Sequence, residues 1–159
     1  MISTKLYFEL GNLMDWLSLQ KKEGKTLVFT NGCFDLLHKG HVQYLEEAKM
    51  QGDILIVGIN SDTSVKRLKG EERPIQNLDN RMNVLAALES VDAVIPFEED
   101  NPLNLIKNIL PDVLVKGGDW KVEQILGSDI VLNNGGSVKS LQFVENQSTS
   151  SIVEKIKKL

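Results

Sequence analysis

Short runs of apolar residues recur along the chain from residue 26 onward. They cover residues 26–30, 53–60, 92–97, 112–117 and 137–143. Continuous apolar runs of this length are typical of strands that are buried on both faces, as in a parallel sheet. The pattern therefore predicts five buried parallel strands.

Segments with a helical spacing of apolar residues separate these runs. Helices or helical turns are predicted at residues 40–50, 62–68, 78–89, 102–110 and 122–132, with a last helix at residues 149–158. Apolar residues between positions 6 and 17 also follow a helical spacing, and Gly24 comes shortly after them. They predict an N-terminal helix over residues 3–22.

The alternation of strands and helices defines the fold class. It predicts right-handed crossovers and a Rossmann-like α/β fold with a doubly wound, five-stranded parallel sheet. We expect a single domain at residues 25–159, preceded by a helical extension at residues 1–24. Ligands of such sheets bind beyond the carboxyl ends of the strands, at the topological switch point. The residues that follow the strands are therefore the candidates for function.

The composition is that of an ordinary globular domain. The chain has 159 residues, of which 42% are hydrophobic and 25% are charged, and its single cysteine, Cys33, excludes an internal disulfide. The apolar stretch at residues 54–59 is far shorter than the about 20 residues that span a membrane. The N-terminus also lacks a secretory signal pattern. We expect a cytoplasmic protein with no membrane partner.

Acidic residues outnumber basic ones, 22 to 18, which gives a formal charge of −4. This balance argues against a nucleic-acid partner, and a small anionic ligand would need a local basic pocket. The loop at residues 66–76 contains a cluster of cations, Lys66, Arg67, Lys69 and Arg73, beside two glutamates. This loop is either simply solvated or binds an anionic substrate.

The first predicted strand continues into the segment TNGCFDLLHKGH at residues 30–41. Asn31 and Gly32 allow a tight turn, and the helix that follows would present unpaired N–H groups to an anion. The segment has neither the GxGxxG pattern of dinucleotide folds nor the GxxxxGK[ST] pattern of P-loops. Asp35 is expected to cap the helix or to brace the turn.

The chain has two histidines, His38 and His41, which flank Lys39 and Gly40. Their spacing places both imidazoles on one face of the first helical turn, where they could stabilise charge on a phosphoryl group. A zinc site is a weaker alternative because no third histidine is present. An incidental pair at the start of a helix is the other alternative.

These motifs, in this order, resemble the HxGH nucleotidyltransferase superfamily and its cytidylyltransferase-like members. Residues 30–35 read TNGCFD, and residues 38–41 read HKGH. Matching segments continue to residue 158 and include KGGD at 116–119 and STSS at 148–151. The chain is most similar to heptose 1-phosphate adenylyltransferases. Glycerol-3-phosphate cytidylyltransferases remain an alternative, and so does a nucleotide-binding sensor that lacks the reaction.

The resemblance implies a role for each matching residue. Catalytic roles fall to His38, Lys39 and His41, and contacts with the acceptor phosphate fall to Lys69 and Arg81. Nucleotide contacts are implied for Asn31, Gly32, Cys33, Phe34, Gly40, Lys116, Gly117, Asp119, Ser148 and Thr149. One hydroxyl residue among 148–151 is also expected to be the N-cap of the last helix.

The resemblance further implies an activity. A sugar 1-phosphate would attack the α-phosphorus of ATP in line and expel pyrophosphate, giving ADP-heptose. Mg²⁺ is the implied cofactor, carried by phosphate oxygens and water without a metal site on the protein. The family also makes a homodimer the expected state.

Overall fold

The structure is a computed structural model that describes residues 1–142 and 148–159. Its strands are β1 (Leu27–Gly32), β2 (Ile54–Asn60), β3 (Ala93–Phe97), β4 (Val113–Gly117) and β5 (Ser137–Leu141). Its α-helices are α1 (Leu10–Lys22), α2 (Lys39–Lys49), α3 (Asp62–Lys69), α4 (Leu78–Ala86), α5 (Leu103–Ile109), α6 (Ser128–Asn133) and α7 (Thr149–Lys157). Short 3-10 turns occupy Ile2–Lys5 and Val122–Gln124.

The five strands form one parallel sheet in the order β3-β2-β1-β4-β5. The predicted doubly wound α/β fold is therefore confirmed. The chain moves outward from β1 to β3 and then crosses back to β4, so the order reverses between β1 and β4. That switch point is where the carboxyl ends of a doubly wound sheet bind ligands.

Two hydrophobic clusters cover the two faces of the sheet. On one face, α1, α5 and α6 pack against inward side chains such as Phe29 and Ile56. On the other face, α2 and α4 pack against alternating residues such as Val28 and Val57. Both faces are thus buried, which explains why the strands read as continuous apolar runs.

The N-terminal segment differs from its prediction. The helix begins at Leu10 and not at residue 3, because residues 6 and 7 pair with the edge of the sheet: Leu6 bridges Val94, and the Tyr7 N–H donates to the Val94 carbonyl at 2.9 Å. An edge strand offers unpaired backbone groups, and this segment satisfies them. Leu13 and Leu17 of α1 are fully buried in the same core as the sheet.

The predicted helix at residues 122–132 is divided in two. Its first part is the 3-10 turn Val122–Gln124, and α6 begins only at Ser128. Gly127 lies between them with φ +85°, and a Cβ there would meet the Ile106 side chain at 2.8 Å. The left-handed backbone at this glycine breaks the helix. Of the predicted strand at residues 137–143, Phe143 lies outside the described residues.

No helix in the described ranges is long and apolar enough to cross a membrane.

Helix α4 offers a test of how much the core contributes to stability. Leu85 is fully buried, whereas its neighbour Val84 is half exposed. We expect Leu85→Ala to lower the free energy of unfolding by about 2–5 kcal/mol, because it removes buried methyl groups and leaves a cavity. Val84→Ala is the matched control and should change it by about 0.5 kcal/mol or less. Urea denaturation measures both, and equal effects would contradict this packing.

Candidate active site

The turn that follows β1 forms the floor of the site. The backbone at Phe34 is left-handed, with φ +46°, and the Phe34 ring lies over Gly32 so closely that a Cβ on Gly32 would meet the ring at 2.9 Å. A side chain at position 32 would therefore displace the Phe34 ring from this position. Left-handed backbone at a bulky residue is uncommon and is often found at functional sites. The turn holds Cys33 between these two residues, where its half-buried side chain faces the cleft.

The two histidines stack on one another at the start of α2. Their ring centroids are 3.9 Å apart, and the Phe34 ring contacts His41 edge-on at 5.3 Å. His38 is the N-cap residue of α2, so the rings stand beside the unpaired N–H groups of its first turn. The Nδ1 atoms of both histidines are buried and have no hydrogen-bond partner in the part of the chain that the structure describes. Unpaired buried groups of this kind are rare away from functional sites.

Burial keeps both imidazoles neutral near neutral pH. It lowers the pKa of His38 below its usual value of 6.5. Burial, with a smaller contribution from the neighbouring His38, lowers the pKa of His41 to about 4, and the Leu36 carbonyl opposes the shift only weakly. Each ring therefore offers a neutral N–H donor.

The histidines open onto a cleft of about 790 Å³ that runs along the carboxyl edge of the sheet. This volume lies in the upper part of the roughly 300–1,000 Å³ range of small-molecule sites. Predicted site residues that line it are Asn31, Gly32, Cys33, Phe34, His38, His41, Lys69, Lys116, Ser148 and Thr149. These ten predicted residues come from five separate segments of the chain.

Other predicted residues do not line the main cleft. Gly117 lines an adjoining cavity of about 100 Å³, while Lys39 and Asp119 are exposed and Gly40 is buried in the first turn of α2. The structure therefore gives no contact between Lys39 and the cleft.

Arg81 corrects the sequence-based expectation. It is 2% exposed and does not line the cleft, and its guanidinium is used within the protein. Its nitrogens donate to the Gln76 carbonyl at 3.0 Å, the Cys33 carbonyl at 2.6 Å and the Asp62 carboxylate at 2.7 Å. Each of the three nitrogens has a partner within the protein, and through these bonds Arg81 braces the turn.

Asp35 braces the same turn from its other end. Its carboxylate accepts hydrogen bonds from the backbone N–H groups of Ile75 and Gln76 and from Arg73 Nε at 2.6 Å. Burial would raise the pKa of this carboxyl, but these three donors outweigh burial and hold the pKa below its usual value. The expectation of a brace is confirmed, whereas the N-cap of α2 is His38.

Helix α7 brings a second N-terminus to the cleft. Ser148 is its N-cap and accepts a hydrogen bond from the Ser151 N–H at 3.1 Å, as the run of hydroxyl residues predicts. The Thr149 hydroxyl donates to the Leu36 carbonyl at 3.1 Å, which fixes α7 beside the histidine turn. Two helix N-termini therefore lie at one end of the cleft, an arrangement that favours anions.

Lys116 and Lys69 add positive charge to the cleft. Burial lowers the pKa of Lys116, and the nearby Lys69 lowers it further, while Cys33 opposes the shift. Neither lysine has an ion-pair partner among the described residues. The cleft is therefore locally basic, although the chain as a whole has a net charge of −4.

Several lining residues were not among the site residues predicted from the sequence. They are Asn60, Leu68, Asp100, Asn101, Pro102, Leu114, Val115, Trp120, Gln124, Ile125, Leu126 and Ser150. Asn60 ends β2 and residues 100–102 follow β3, so their position after predicted strands was a usable signal. Trp120 and Leu126 lie on the connection between β4 and α6, whose course the sequence did not reveal.

Comparison with known proteins identifies the fold family. A sequence model of the cytidylyltransferase-like family matches residues 29–155. The bifunctional protein HldE of Haemophilus influenzae is 59% identical over 94% of this chain, and the same protein of Pseudomonas entomophila is 59% identical over 87% of it. The chain spans about a third of the length of these relatives, 31% and 29%.

Solved structures agree with this assignment. A lipopolysaccharide core biosynthesis protein from Thermoplasma volcanium superimposes with a TM-score of 0.61 at 28% identity, covering 78% of this chain and all of the other. A pantoate-beta-alanine ligase from Francisella tularensis shares only the fold, with a TM-score of 0.58 at 15% identity over 97% of this chain and 78% of its own. The family match covers the strands, the histidine turn and most of α7, and it shows that this chain belongs to the cytidylyltransferase-like family.

Proposed function

We propose that this chain transfers the adenylyl group of ATP to a heptose 1-phosphate, producing ADP-heptose and pyrophosphate. The observation that carries the proposal is the neutral, stacked His38–His41 pair, which lines a basic cleft beside the start of α2. The family match and the 59% identity to HldE proteins support this class of reaction. The TNGCFD and VKGGD segments favour the heptose substrate.

The triphosphate belongs at the end of the cleft where the helix N-termini meet. His38 and His41 would donate N–H groups to oxygens of the α- and β-phosphates. Ser148, Thr149 and the start of α7 would bind the outer phosphates, and Lys116 would neutralise part of their charge. Such fixed donors stabilise charge that develops in the transition state.

The reaction needs no covalent enzyme intermediate. An oxygen of the sugar 1-phosphate attacks the α-phosphorus, and the bond from that phosphorus to the bridging oxygen breaks as pyrophosphate leaves. The attacking phosphate is already ionised and needs no general base. Positioning and charge stabilisation by the protein therefore account for the acceleration.

Mg²⁺ is proposed to enter with the triphosphate. Within the described residues, no group of three or more histidine, cysteine or acidic side chains could hold a metal ion. The proposed ion would be held by phosphate oxygens and water, which is how magnesium commonly binds with nucleotides. When bound, it would neutralise charge on the triphosphate.

A glycerol-3-phosphate cytidylyltransferase is the second candidate. Trp120 favours it, because a tryptophan directly after Asp119 resembles the GDDW segment of those enzymes, and Trp120 lines the cleft.

The expected homodimer stays a prediction, which sedimentation equilibrium would test.

The substrate is decided by pyrophosphate release. ATP and CTP are each combined with heptose 1-phosphate and with glycerol 3-phosphate, and kcat/KM is compared. We expect ATP with heptose 1-phosphate to be preferred, because a site built for one base leaves polar groups unpaired with the other. Preference for CTP with glycerol 3-phosphate would overturn the substrate assignment.

Removal of either imidazole should slow the reaction. We expect His38→Ala and His41→Ala each to lower kcat by about 100-fold or more, the usual cost of losing one fixed donor to a developing charge. Glu47→Ala, on the exposed face of the same helix, is the control and should leave kcat unchanged. Near-normal turnover in both histidine variants would refute the proposed role.

The histidine pair should also make stability depend on pH. The folded-state pKa of His41, about 4, lies below its ordinary value of 6.5, so the unfolded chain binds the extra proton first. Stability is therefore full above about pH 6.5 and falls as the pH drops towards 4. In His38→Asn/His41→Asn this loss should be smaller, as measured by urea denaturation at pH 7 and pH 5. An unchanged pH dependence would show that other groups cause it.

A further inference from the structure

The resemblance implied a contact between Arg81 and the acceptor phosphate, but the arginine that lines the cleft is Arg73. It lies on the loop between α3 and α4, its side chain is 18% exposed, and it lines the cleft. Arg81 is buried, and each of its three guanidinium nitrogens donates a hydrogen bond within the protein. The two arginines therefore have different roles, and of the two only Arg73 lines the cleft.

The Arg73 guanidinium is held by one nitrogen. Its Nε donates to Asp35 Oδ2 at 2.6 Å, and the Asp35 side chain is 1% exposed. The backbone N–H groups of Ile75 and Gln76 bind the same carboxylate, so the loop around Arg73 is fixed to the histidine turn. This arrangement orients the guanidinium before any ligand arrives.

The other two nitrogens of Arg73 remain available. They have no hydrogen-bond partner in residues 1–142 and 148–159. A guanidinium presents its donors in a planar fork that matches the oxygens of a phosphate. With Nε occupied by Asp35, the two terminal nitrogens form such a fork at the cleft.

The charges around Cys33 show that Arg73 is not alone. Lys69, Arg81 and Arg73 all act on the Cys33 thiol, and Lys69 acts on Lys116. Asp35 balances the charge of Arg73, so Lys69 supplies the net positive charge beside it, while Arg73 supplies hydrogen-bond donors in a fixed orientation. A dianionic phosphate monoester suits this combination.

Arg73 and the residues at the triphosphate end come from different parts of the sheet. The loop that carries Arg73 connects β2 to β3, whereas Ser148 and Thr149 follow β5. In the order β3-β2-β1-β4-β5, the strands that precede these segments lie on opposite sides of β1, and the segments meet the turn after β1 at neighbouring residues, Arg73 at Asp35 and Thr149 at Leu36. The helix N-termini of α2 and α7 favour the triphosphate, which leaves Arg73 for the second substrate.

We propose that Arg73, oriented by Asp35, binds the phosphate monoester of the acceptor substrate and aims its oxygen at the nucleotide. This inference rests on the proposed function for the identity of the reaction, although any phosphate acceptor would require the same contact. Asp35 is the positioning residue, and Arg73 is the residue that touches the substrate.

The test compares four variants with the wild type. They are Arg73→Gln, which removes the cation; Arg73→Lys, which keeps a cation but not the fork; Asp35→Asn, which weakens the clamp; and Lys107→Gln on the exposed face of α5, which removes one charge outside the cleft. Thermal unfolding shows which variants fold. Arg73→Lys keeps the test available if Arg73→Gln does not fold, because a cation still faces Asp35.

The readout is KM for heptose 1-phosphate against KM for ATP. We expect both Arg73 variants to raise the acceptor KM by about 10- to 100-fold, the range for losing charge-assisted hydrogen bonds, with the ATP KM within about twofold of wild type. Asp35→Asn should raise the acceptor KM by a smaller factor, and Lys107→Gln should change neither constant. A rise confined to the ATP KM, or no change in a folded Arg73 variant, would overturn the proposal.

Failure of the proposed function gives a different result. If the wild type prefers CTP with glycerol 3-phosphate, the same comparison is made with that pair, and the expected rise is in KM for glycerol 3-phosphate. If the wild type turns over neither pair, isothermal titration with inorganic phosphate provides the readout. Binding that is weakened at least tenfold in Arg73→Lys but not in Lys107→Gln supports the proposal, and equal binding in both overturns it.

Discussion

The buried guanidinium of Arg81 is the interaction on which the site depends. One side chain ties the turn after β1, through the Cys33 carbonyl, to the first residue of α3 and to the loop before α4. A buried charge is stable only when its donors are satisfied, so these segments have little freedom to move apart. The unusual backbone at Phe34 and the stacked imidazoles are maintained within this frame. Loss of Arg81 would leave Asp62 and two carbonyl groups without their donor.

Much of the fold and the centre of the site could be predicted from the sequence. Strand runs and the HKGH turn are local patterns, so residues close in sequence were enough to identify them. The hydroxyl cap at Ser148 is local as well, and the structure confirms it. The cation roles could not be read in this way, because Arg73 and Arg81 have the same chemistry. Their difference comes from partners distant in sequence, Asp35 for one and Cys33 with Asp62 for the other.

The cleft combines two kinds of surface, which fit the two substrates of the proposed reaction. Helix N-termini and neutral imidazoles occupy one part of the cleft, and in the proposed reaction their donors would stabilise charge that develops on the phosphates. Lys69 and Arg73 come from the segment after β2 and would bind the phosphate monoester of the proposed acceptor. The two surfaces come from segments that follow β2 and β5, strands on opposite sides of the central strand β1.

The pairing of Leu6 and Tyr7 with β3 has a consequence for the behaviour of the protein in solution. An open strand edge is a template for ordered aggregation, and natural sheets protect their edges with covering segments or charged side chains. The N-terminal segment covers the β3 edge. At the opposite edge, β5 carries the exposed Lys139, which bonds to Gln51 at 2.6 Å. Residues that lie outside the cleft thus protect the sheet from pairing with other chains.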